Sequence, residues 1–196
     1  LVIYAGSNPE GSDAVWVMDV ASSRIESPQP AARSRKEWGD FGGTRLSPDN
    51  RRMYRVRSEE DWNGRIQCID LGTSQELWHT ELQGEPLMSL DISPDGRVLA
   101  SASGFTDTTI HIWDTATGEL LKQLDRHTAS VIDLAFTRDG RRLISVAMDQ
   151  TIRFWDTSTW TESREPLRGH TDEVWAIAIS EAAQRIASVS KDGDLK

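Results

Sequence analysis

Between residues 131 and 167 apolar and polar side chains alternate in short runs: VIDLAF (Val131 to Phe136), RRLISVA (Arg141 to Ala147), TIRFW (Thr151 to Trp155) and a weaker run from Glu162 to Leu167. Period-two alternation over so few residues, rich in Val, Ile and Phe, predicts β-strands with one buried face. Turn chemistry separates the runs. Asp139-Gly140 parts the first two, and SPDG at Ser93 to Gly96 marks the same break one repeat earlier, both of a hairpin type. No stretch has the 3.6-residue period of a long helix, so the chain is expected to be all-β.

The pattern recurs. His127 and His170 lie 43 residues apart (170 − 127), Asp149 and Asp192 also 43 (192 − 149), Ser101 and Ser145 44 (145 − 101), and Asp114 and Asp156 42 (156 − 114). A period of this size marks a supersecondary repeat, here four short antiparallel strands forming one blade. Worn copies precede these. An Asp49 turn is followed by Ile69-Asp70 where Trp-Asp stands later, and VWVMDV offers Met18-Asp19. Asp19 and Asp70 are 51 residues apart (70 − 19), and Ser27 to Lys36 (SPQPAARSRK) accounts for the excess as a polar, Pro-bearing linker. The expected organisation is one domain of three whole repeats with a fragment at each end, at 1–32, 33–82, 83–125, 126–168 and 169–196.

Gly169-His170, SPDG, IASVSKD (Ile186 to Asp192) and Trp-Asp at 113–114 and 155–156, in fixed order at this period, resemble the WD-repeat β-propeller family. The resemblance implies an arc of four-stranded antiparallel blades. A buried Trp carries an indole N–H that needs an acceptor, so its polar neighbours should come as a set. The family's structural tetrad implies that Trp155 donates to Ser145, Ser145 to His127, and His127 to Asp149. The next repeat supplies His170, Ser188 and Asp192. The one before has Ser101, Asp107 and Trp113, with Gln83 in place of the His. Ser, His and Asp are also the residue types of a hydrolase triad, but a catalytic site occurs once whereas this set recurs with the blade, and no G-x-S-x-G elbow is present.

The end of the chain fits the same frame. Aligning DGDLK on DQTIRFW places the next Trp at position 198, and the start resembles the second strand of a blade. The chain is therefore expected to be part of a longer propeller, since a ring of about seven blades needs roughly 300 residues. Its open sheet edges predict association of the isolated polypeptide.

Composition narrows the chemistry further. The net charge of −9 is spread along 196 residues, which favours solubility and disfavours sequence-independent nucleic-acid or anionic-membrane binding. The single Cys68 allows no internal disulfide, fits a reducing, cytoplasmic setting, and is expected on a buried strand. There is no apolar run of about 18 residues. From Glu59, EEDWNGRIQCID matches a calcium loop at Asp61, Asn63, Gly64 and Asp70, but with Glu and Asp exchanged at its ends. Asn63-Gly64 is better read as a two-residue hairpin turn. His79 and His111 are expected exposed or half-buried, and no metal or cofactor is expected.

Recognition is expected on the loops and strand ends of one rim. Carried over from the family, that rim comprises Pro86, Met88 and Thr106, then Ser130, Ile132 and Met148, then Glu173, Trp175 and Lys191. Met and Trp suit protein interfaces. The expected function is a non-catalytic scaffold that binds a protein or peptide within a larger regulatory or signalling protein, beside the remaining blades of that chain. The alternative is a docking or sensing domain attached to an enzyme such as a bacterial protein kinase or peptidase.

Overall fold

The computed structural model describes residues 2–7, 13–19, 24–30, 43–58, 63–82, 86–104, 107–180 and 184–196, the first three segments as backbone alone. The chain divides into two units, residues 1–38 and 39–196. In the first, β1 (Val2–Ser7), β2 (Asp13–Asp19) and β3 (Arg24–Pro30) pair antiparallel in that order. Strand β3 therefore takes in Ser27 to Pro30, the start of the segment read as a linker. The prolines are tolerated because β3 is an edge strand and the register skips opposite Trp16, between Val15 and Val17.

The second unit is built from consecutive sheets. The first holds β4 (Thr44–Leu46), β5 (Arg52–Ser58), β6 (Gly64–Asp70) and β7 (Glu76–Leu82). Next come β8 (Leu87–Ile92), β9 (Val98–Ser103), β10 (Ile110–Asp114) and β11 (Leu120–Leu124). They are followed by β12 (Val131–Phe136), β13 (Arg142–Ala147), β14 (Ile152–Asp156) and β15 (Thr161–Glu162). Strands β16 (Val174–Ser180) and β17 (Arg185–Ser190) form a final pair. Among the described residues every regular element is a strand, and the three complete sheets are four-stranded and antiparallel.

Two local expectations are corrected. Gly64 pairs with Ser58, so Asn63-Gly64 is not a two-residue turn, and residues 59–63 connect β5 to β6. Glu59 and Asp61 of the calcium-loop reading lie outside the described residues. The fourth strand of the β12–β15 sheet stops at Glu162, and beyond the Ser163 N–H on the Phe154 carbonyl pairing resumes only as a bridge between Leu167 and Ile152.

Turns repeat with the blades. Ser47, Ser93 and Thr137 each donate a hydroxyl to a carboxylate two residues on, at Asp49, Asp95 and Asp139, all at 2.6 Å. The Asp of each Trp-Asp position begins the next turn: Asp70, Asp114 and Asp156 accept the N–H three residues ahead. Such local bonds hold the loop without help from the core.

Cores lie between the sheets. Tyr54, Val56, Ile66 and Cys68 pack against Leu87, Leu90, Leu99 and Trp113. Ala100, Ala102, Ile110 and Ile112 meet Leu134, Phe136, Leu143 and Trp155. Ile144, Val146 and Phe154 meet Val174 and Ile177. Cys68 is fully buried, and burial pushes its thiol up to about 11. First strands are also tied directly. Asp91 on β8 accepts Arg45 Nε at 2.9 Å and the Phe136 N–H at 2.8 Å. Asp133 on β12 accepts Ser89 Oγ at 3.0 Å and the Ile177 N–H at 3.1 Å.

Candidate functional site

A buried chain of hydrogen bonds crosses the β12–β15 sheet. Trp155 Nε1 donates to Ser145 Oγ at 2.9 Å, His127 Nε2 lies 2.8 Å from the same oxygen, and His127 Nδ1 lies 2.8 Å from Asp149 Oδ2. Asp149 also accepts the N–H groups of Thr128 and Thr151 and the Thr151 hydroxyl. Burial alone would raise its pKa. The hydrogen bond and charge of His127, with the Thr151 and Thr128 donors, outweigh burial and hold the carboxyl well below the usual range.

The arrangement recurs one blade on. His170 bridges Ser188 Oγ at 2.8 Å and Asp192 Oδ2 at 2.9 Å. Asp192 is likewise held low: burial opposes its charge, but the Thr171 and Asp194 N–H groups and His170 prevail. One blade earlier, Trp113 Nε1 donates to Ser101 Oγ at 2.9 Å and Asp107 accepts the Thr109 N–H; Gln83 lies outside the described residues.

A Ser–His–Asp set at these distances invites a catalytic reading. Ser145 Oγ, however, is already engaged by an indole N–H in a fully buried residue, so the hydroxyl has no path to a substrate. The arrangement joins one strand to the next within a blade.

His111 corrects the sequence reading. It is buried at 3 % exposure, stacks on Trp113 with ring centroids 5.6 Å apart, and meets the Gln123 amide at 3.0 Å. The register explains the burial. Ser101 pairs with His111, Ser145 with Arg153, and Arg55 with Gln67, so these positions share one row of successive blades. In the β4–β7 sheet that row carries another network, in which Arg55 donates to Gln67 and Gln67 to Glu76. His79 is exposed and contacts the same Glu76.

At one end of the strands the expected rim residues have a shared geometry. The register skips between Leu87 and Ser89, between Val131 and Asp133, and between Val174 and Ala176. Met88, Ile132 and Trp175 are therefore the extra residues of three equivalent β-bulges, a device that re-aims a side chain. Trp175 is 52 % exposed, while Met88 and Ile132 are half-buried. A second tie accompanies each bulge. Gly104, Met148 and Lys191 donate their N–H to the carbonyls of Pro86, Ser130 and Glu173 at 2.8, 2.9 and 3.0 Å. Thr106 lies outside the described residues. Trp175 Nε1 reaches Glu173 at 3.2 Å, and Lys191 Nζ stands 3.7 Å from the same carboxylate.

A family model described as WD domain, G-beta repeat matches residues 76–114, 118–156 and 161–196, more than half of the chain. The chain belongs to the WD40 family. Each matched WD40 repeat is staggered against the sheets: the first runs from β7, through β8 and β9, to the end of β10. Neighbouring blades thus share a repeat, which couples their packing covalently.

Relatives agree. The chain is 39 % identical over 92 residues to WD repeat and SOCS box-containing protein 1 of Homo sapiens, covering 46 % of this chain and 22 % of that protein. It is 38 % identical over 108 residues to nuclear distribution protein PAC1 of Arthroderma benhamiae, covering 54 % and 23 %. It is 36 % identical over 104 residues to the periodic tryptophan protein 2 homolog of Neurospora crassa, covering 53 % and 11 %. The match spans less than a quarter of each relative's length.

The bulges and the Asp91 and Asp133 ties escaped the sequence reading. A bulge leaves no mark on one strand, because it depends on the partner's register. The carboxylates did leave one, as lone acids inside the apolar runs LMSLDI and VIDLAF.

Proposed function

We propose that this WD40 segment is a non-catalytic interaction module that holds a protein or peptide along the rim made by Met88, Ile132, Met148 and Trp175, bordered by Glu173 and Lys191. The observation that carries the reading is the bulge repeated at Met88, Ile132 and Trp175. The ladder is interrupted three times at one end of the blades, and each time the extra residue is large and apolar. A large indole exposed by half beside an ion pair matches the aromatic anchor and polar border of protein interfaces. The names of the relatives, among them a nuclear distribution protein and a SOCS box-containing protein, support a regulatory setting.

The test is site-specific photo-cross-linking in the full-length protein within its own cells. A benzoylphenylalanine at Trp175 is expected to give discrete protein adducts that Met148→Asp abolishes, whereas the same group at exposed Gln75, in the turn before β7, gives none. Equal adducts at both positions, or none at Trp175, would refute the rim.

A further inference from the structure

The three bulges of the rim face different residues. Gly104, Met148 and Lys191 stand opposite Pro86, Ser130 and Glu173, each of which lies two residues before the bulged Met88, Ile132 or Trp175. Two of the three facing positions carry a side chain, and the first carries none.

Glycine serves either a backbone conformation closed to other residues or a space that no Cβ can enter. At Gly96 and Gly118 the first applies, with φ at +72° and +76°. The φ of Gly104 lies outside the left-handed region, so its backbone does not call for glycine. What excludes a side chain there is Met88. A Cβ on Gly104 would stand 2.8 Å from Met88 Sδ and closer still to its Cγ, whereas the Pro86 carbonyl oxygen, at 3.5 Å, would be in ordinary contact. Such an overlap cannot persist. Met88 is the group that has to move, since the Gly104 N–H is held on the Pro86 carbonyl at 2.8 Å.

Met88 thus lies across the place that a side chain at position 104 would fill. An unbranched thioether with three rotatable bonds can take that course. One side chain then covers two positions of the rim. Met88 is half-buried, whereas Trp175, in the repeat that has Lys191, is 52 % exposed.

We propose that Gly104 is a positioning residue for the rim: its missing side chain lets Met88 lie across the end of the β8–β9 pair, where the partner meets the thioether in a preset conformation. The inference rests on the rim proposed above. Gly104 offers the partner no side chain of its own and acts through Met88. A side chain held in its bound conformation beforehand loses less freedom on association. Lifting Met88 by one methyl group at position 104 therefore weakens the complex without removing an apolar atom from the rim.

The test combines two measurements on the full-length protein. Gly104→Ala, Met88→Ala and the double variant each carry benzoylphenylalanine at Trp175 for cross-linking in cells, and the same variants with Trp175 intact are purified and labelled at the methionine methyls for NMR. The Met53 methyl, on a residue 3 % exposed, reports the core. Gly104→Ala is expected to shift the Met88 methyl, to leave Met53 unmoved, and to lower the adduct yield by at least about fivefold. A Cβ at position 104 has nothing to displace once Met88 is replaced by Ala, so the double variant should match Met88→Ala in yield. An unmoved Met88 methyl or parent-like adducts in Gly104→Ala, or a double variant below Met88→Ala, would overturn the proposal and leave the rim standing. If Met53 also moves in Gly104→Ala, the comparison of Met88→Ala with the double variant decides. No adducts from the parent at Trp175 would overturn the rim and this inference with it.

Discussion

Ser145 is the residue on which the β12–β15 blade turns. One oxygen takes the Trp155 indole and faces His127 Nε2, all in a fully buried setting. Removing it orphans two buried groups at once, which costs about 1–3 kcal/mol. The carboxylates at the far end add a pH dependence. Asp149 and Asp192 are held below the usual carboxylate range in the folded protein, whereas in the unfolded chain they titrate at about 3.9. A depressed folded pKa gives stability that is complete above the unfolded value and drains away as the pH falls below about 4. Asp149→Asn should therefore lower stability at neutral pH and flatten the loss between about pH 4 and pH 2, measured as urea midpoints across that range. A variant whose acid slope matches the parent's would remove Asp149 from this role.

At the level of strands, blade-to-blade contact depends on carboxylates as well as on apolar packing. Asp133 reaches from β12 to the Ser89 hydroxyl and the Ile177 N–H, so it touches strands of both neighbouring sheets. Asp133→Ala should leave the Ile177 amide without its acceptor and speed its hydrogen exchange by about fivefold to tenfold, with a smaller change at amides inside β13. Uniform acceleration across the blade would mean global loosening instead. These ties also mark what the sequence could and could not convey. Strands such as VIDLAF and turns such as Asp139-Gly140 were legible because alternation and turn chemistry are local. The skip that frees Met88, Ile132 and Trp175 was not, since it exists only between two strands. His111 was misjudged for the same reason: its burial follows from standing opposite Ser101, not from its neighbours in the chain. Pro28 and Pro30 suggested a linker and instead sit on a bulged edge strand.

Over the second unit as a whole, the proposed function gives stability and recognition to different residues of the same repeat. The Trp155-Ser145-His127-Asp149 set and the His170-Ser188-Asp192 set lie within the sheets, the bulged residues lie at one end, and the staggered WD40 repeats bind each blade to the next. This division predicts that the two kinds of residue respond unequally to substitution. The most direct measurement is the unfolding free energy of Ser145→Ala beside Trp175→Ala, from urea denaturation of the same chain. Ser145→Ala should lose about 1–3 kcal/mol, and Trp175→Ala should stay within about 0.5 kcal/mol of the parent. The reverse order, with Trp175 costly and Ser145 neutral, would contradict the assignment and make the rim part of the core.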